Sequence, residues 1–65
     1  MTELPPSSVE RLIRKAGAGR VSAEAALSLT RILEDLAAGI SVKAIRLAKH
    51  AGRKTVTADD IKLAK

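Results

Sequence analysis

Cysteine, phenylalanine, tyrosine and tryptophan are all absent from these 65 residues, and there is one histidine. Without cysteine no disulfide can staple the fold, and a lone histidine leaves a zinc site without its ligands. Without aromatic rings there is nothing on which a splayed base could stack, which argues against a single-strand platform. No apolar run approaches a membrane span, and no signal peptide is visible. The default is therefore a soluble intracellular protein with no metal and no cofactor. Catalysis needs a base, a partner for it and a pocket, and nothing around His50 suggests that set. An enzyme reading has no support, and no small-molecule substrate is implied.

The chain is one domain at most, at a size where disulfides, metals or oligomerisation commonly supply the missing stability. Its apolar residues are small: Leu, Ile and Val total 17, and Ala adds 12. With the other staples excluded, oligomerisation remains. The formal net charge is +5 and the sequence pI about 10.3. That balance favours a polyanionic partner, nucleic acid first and an anionic membrane surface second.

The longest patterned stretch runs from Ser22 to Ala51 without proline. Apolar residues recur at Ala25/Ala26, Leu29, Ile32/Leu33, Leu36, Ile40, Ala44/Ile45, Leu47/Ala48 and Ala51, in the steps of three and four that put them on one helical face. As one helix it would be ~45 Å long. A chain this short cannot cover such a stripe, so the stripe asks for a second copy of the chain. Gly39 interrupts it at a cost of roughly 1 kcal/mol against Ala. It is a tolerated glycine, a point where a crossing helix comes close, or a real break in the helix.

Two short arms flank the rod. Ser7 and Glu10 offer a capping box for a helix over about 6–16, with Val9, Leu12, Ile13 and Ala16 at helical spacing and Gly17 as its stop. Arg11, Arg14 and Lys15 lie on its polar side. Ser22 can cap the long helix and Thr57 a third one, which has Asp59 and Asp60 in its first turn. Each intervening loop carries a basic residue before a valine, Arg20-Val21 and Lys54-Thr55-Val56. In an antiparallel dimer loop 1 of one copy would lie beside loop 2 of the other, gathering Arg20, Arg53 and Lys54 at each end.

Short helix, loop, long helix, loop, short helix is the plan of the histone fold. Leu4-Pro5, Leu12-Ile13, Ala16-Gly17-Ala18, Arg20-Val21-Ser22, the run Lys49-His50-Ala51-Gly52-Arg53-Lys54-Thr55-Val56 and Ala58-Asp59-Asp60-Ile61-Lys62-Leu63-Ala64 together resemble the archaeal histones over nearly the whole chain. The resemblance implies an all-α histone fold over residues 1–65 without tails, paired as an intertwined antiparallel handshake dimer. The dimer core would be Leu29, Ile32, Leu33, Leu36 and Ile40. It implies binding, bending and compaction of double-stranded DNA without sequence specificity, by homodimers that assemble further, with paralogous histones as other partners, on a cytoplasmic chromosome.

The resemblance also distributes roles. Arg20, with Ser22 beside it, is expected at the minor groove, where it would read width and potential and not base identity. Lys54 and Thr55 match the second-loop phosphate contacts. Arg11 and Arg14 would approach the backbone between the loop sites. Arg53 is expected to pair with Asp60 and tie loop 2 to helix 3. Leu47, His50 and Asp60 would meet their copies where two dimers join. Arg31, Glu34, Asp35 and Lys62 would either bridge stacked turns of a filament or form an ordinary solvated face. Gly19 stands where relatives often carry an acid. Two rival functions are a histone-fold heterodimerisation module of a transcription complex and a membrane-surface helix, the latter opposed by the alternation of caps and loops.

Overall fold

The computed structural model describes residues 3–65. Among them the order is α1 (Pro6–Lys15), α2 (Ala23–His50) and α3 (Ala58–Ala64), with no strand. The architecture is all-α, in the short–long–short plan read from the sequence.

The helix α1 begins at Pro6, where the sequence places it, but its cap differs from expectation. Pro5 is the N-cap, with φ −68° and ψ 122°, and no side chain caps the helix. The box of Ser7 and Glu10 does not form. Proline at the first helical position has a preset φ and no N–H to satisfy, so Pro6 begins the helix ahead of Ser7. Glu10 instead accepts from Arg14, four residues on, at 2.9 Å. The other end follows the pattern. Gly17, at φ +123°, donates its N–H to the carbonyl of Arg14 at 3.0 Å, and the helix stops.

Ser22 caps α2: its Oγ accepts from the Ala25 N–H at 3.0 Å and its carbonyl from the Ala26 N–H at 3.2 Å. The helix then runs unbroken for 28 residues through Gly39. It ends in a Schellman turn. The Arg53 N–H reaches the Ala48 carbonyl and the Gly52 N–H that of Lys49, both at 2.9 Å, with Gly52 in the left-handed region at φ +75°. Thr57 caps α3 through a reciprocal box: its Oγ1 accepts from the Asp60 N–H at 3.4 Å, and its own N–H donates to Asp60 Oδ2 at 2.8 Å.

The chain divides into two compact units, Met1–Asp35 and Leu36–Lys65. In the first, Val9, Ala26 and Thr30 are buried. The Thr30 hydroxyl is satisfied by donating to the Ala26 carbonyl at 2.7 Å. Glu34 gathers the N-terminal lead, its carboxylate accepting from the Leu4 N–H at 2.9 Å and from that of Glu3. Those two backbone donors hold the Glu34 carboxyl below its usual range. In the second unit the buried residues are Ala44 and Ala48 on α2, and Asp60 and Ala64 on α3. Each pair is four residues apart, on one helical face.

The large apolar residues remain outside this burial. Ile32 and Leu36 are each 59% exposed, while Leu29, Leu33 and Ile40 are only partly covered. The stripe of α2 is therefore open in the single chain.

Candidate nucleic-acid interface

Loop 1 follows from the two helix ends that bound it. Gly17 turns the chain out of α1, and Ser22 starts α2. Between them Arg20 is exposed. Among the described residues no carboxylate pairs with it, in keeping with glycine at position 19. The Ser22 hydroxyl oxygen is used in the cap, accepting from the Ala25 N–H. On α1 Arg11 is exposed, and Arg14 is 58% exposed while paired with Glu10.

Loop 2 is more constrained. The Arg53 guanidinium forms two parallel bonds with Asp60, Nη1 to Oδ2 and Nη2 to Oδ1, each 2.8 Å. Nη1 also donates to the Thr55 carbonyl at 3.2 Å. One side chain thus binds the middle of the loop and the first turn of α3 together. The acid is 3% exposed and the guanidinium 40%. Arg53, and then the Thr57 backbone N–H, hold the Asp60 carboxyl well below the carboxylate range, and Asp60 in turn raises the guanidinium pKa. Planar bidentate geometry gives this pair its directional strength. Lys54 and Thr55, in the segment between Arg53 and Asp60, are exposed.

Residues 2–64 match the family described as histone-like transcription factor (CBF/NF-Y) and archaeal histone. An archaeal histone HAN1 subunit from Thermococcus zilligii is 55% identical over 64 residues, covering 98% of this chain and 96% of that protein. Probable archaeal histone 3 of Methanocaldococcus jannaschii is 47% identical over 64 residues with the same coverage.

The chain belongs to the archaeal histone family. Its three helices are those of the histone fold, and the matched family joins archaeal histones with histone-like transcription factors, neither of them enzymes. No helix of the described residues is long and apolar enough to cross a membrane. The described residues hold no group of three or more His, Cys, Asp or Glu placed to bind a metal.

The charge of this archaeal histone is unevenly placed. Residues 1–35 carry five Lys or Arg against five Asp or Glu; residues 36–65 carry seven against two, which is the entire excess. Leu47 and His50 are exposed, whereas Asp60 is buried with both oxygens bonded within its own chain. Sequence reasoning missed the Thr57–Asp60 box, although Thr-x-x-Asp ahead of a helix is a legible signal. It also missed the grip of Glu34 on the N-terminal lead, for which the sequence carries no signal.

Proposed function

We propose that this archaeal histone binds, bends and compacts double-stranded DNA without reading its sequence. It acts as an intertwined antiparallel homodimer, a single histone-fold domain per chain, on the chromosome in the cytoplasm. The observation that carries the reading is the construction of loop 2. An Arg53–Asp60 bracket fixes the backbone while Lys54 and Thr55 face outward, a geometry suited to phosphates, which position a protein without specifying a base. Pairing two copies through Leu29, Ile32, Leu33, Leu36 and Ile40 covers the open stripe of α2. It also sets loop 1 of one copy beside loop 2 of the other, so Arg20 and Ser22 join Lys54 and Thr55 at each end. Arg11 and Arg14 on α1 supply backbone contacts between those ends. Phosphate neutralisation and counterion release offset the cost of bending, and Arg20 in a narrowed minor groove adds to them. Dimers then join along DNA through the face that carries Leu47 and His50, with Asp60 at the same end.

Bend measurements on short duplexes test this. Arg20→Ala is expected to weaken binding and reduce the bend more than Arg46→Ala, a change on the central helix. Lys54→Ala should lower the salt slope by about one phosphate contact. Equal effects of Arg20→Ala and Arg46→Ala would overturn the assignment.

A further inference from the structure

A groove of about 460 Å³ runs along the second unit, lined by Lys43, Arg46, Leu47 and His50 of α2 and by Leu63 and Ala64 of α3. The four α2 residues stand at i, i+3, i+4 and i+7, one stripe of a helix. Leu47 is 37% exposed and Leu63 75%, so the floor and wall are apolar and open. Two basic side chains, Lys43 and Arg46, border it, and no carboxylate among the described residues lines it. The acids of this unit are elsewhere: Asp60 is buried against Arg53, and Asp59 is outside the lining.

That composition bears on which dimer can sit here. A contact between two dimers of this chain related by a two-fold axis is isologous, with the same patch on both sides. It would gather two Lys43 and two Arg46 around the shared apolar centre. Like charges brought together around a contact disfavour it, and opposite charges set the choice of partner. We propose that this groove docks a histone-fold dimer whose matching face carries carboxylates around its apolar residues, in preference to a second copy of this chain's own dimer. The proposal rests on the reading that dimers join through the Leu47 face, and it adds the chemistry of the preferred neighbour.

A charge-reversed form of the protein itself can serve as the acidic-faced partner. Lys43→Glu/Arg46→Glu alters two exposed side chains and neither loop. Sedimentation equilibrium without DNA at low salt compares the parent, this variant and an equimolar mixture. The mixture is expected to form dimer pairs at a concentration at least roughly tenfold lower than the parent alone. The advantage should shrink as salt screens it. Subunit exchange leaves the expectation intact, because a mixed dimer presents one face of each sign. The neutral variant Lys43→Gln/Arg46→Gln should pair with itself more tightly than the parent does. A parent that pairs with itself as tightly as the mixture would make its own copy the occupant and overturn the proposal. No pairing in any combination would overturn it as well. Leu47→Glu in both components separates the two levels. If it abolishes pairing but the mixture holds no advantage, this proposal alone fails. If it leaves pairing unchanged, dimers join elsewhere and the assembly reading fails with it.

Discussion

Removing one side chain from the open stripe of α2 gives a measurable test of dimerisation. Leu36 is 59% exposed in the single chain. Full burial of a leucine is worth about 1.5–3 kcal/mol, so pairing has roughly half of that still to gain at this position. Leu36→Ala loses that gain and leaves a cavity, and large-to-small core changes cost about 2–5 kcal/mol. At the lower end, ~2 kcal/mol per chain is ~4 kcal/mol per dimer. Because folding and pairing are one equilibrium in an obligate dimer, the loss appears in concentration dependence. At about 1.4 kcal/mol per tenfold, the protein concentration giving half-folding should rise roughly a thousandfold. Thermal or urea melts across a range of concentrations, alongside sedimentation mass, read this directly. Leu36→Asp places an unpaired charge in the same contact and should prevent folding altogether. A parent midpoint that ignores concentration, with the mass of a monomer, would refute the reasoning. So would a Leu36→Ala protein that melts with the parent.

Gly39→Ala should stabilise α2 by about 1 kcal/mol, because no atom lies within 4 Å of an added Cβ in the chain; a loss of melting temperature would instead place the partner's helix there. The Asp60 carboxyl titrates below its unfolded value, so its contribution to stability is complete above about pH 4 and lost as pH falls toward the folded value. Acid melts of the parent should therefore decline below about pH 4, and Asp60→Asn should be less stable at neutral pH with a flatter acid limb; parallel curves would show that the Arg53–Asp60 pair carries little. Leu47→Glu should leave a folded dimer that binds DNA, yet in nuclease digests of long coated DNA it should protect only the smallest fragment of the parent's ladder. A complete ladder from that variant would place the joint on another surface.

The helices were legible because their signals are local. Ser22 and Thr57 cap where sequence spacing puts them, and Gly17 and Gly52 end helices through positive φ. The cap of α1, though not its first residue, was misread because two signals competed within three residues. A capping box at Ser7 and a proline at the first turn cannot both begin the helix, and the proline's fixed φ prevails. The Arg53–Asp60 geometry was reached through family resemblance and not from spacing; seven residues across a turn carry no periodic signal. Glu34 holds backbone N–H groups some thirty residues away, and a contact with main chain leaves no trace in the side-chain pattern. The basic rim of the groove was present in the sequence as Lys43 and Arg46. Its meaning emerged only when α3 supplied Leu63 as the other wall.

The most direct test of DNA packaging without sequence reading is affinity for several unrelated duplexes of equal length, measured over a range of salt concentrations. The account predicts steep linear falls of log affinity with log salt, with the same slope for every duplex. The lines should be offset only modestly, according to how easily each sequence bends. A single duplex bound far more tightly than the rest, or an affinity indifferent to salt, would contradict it.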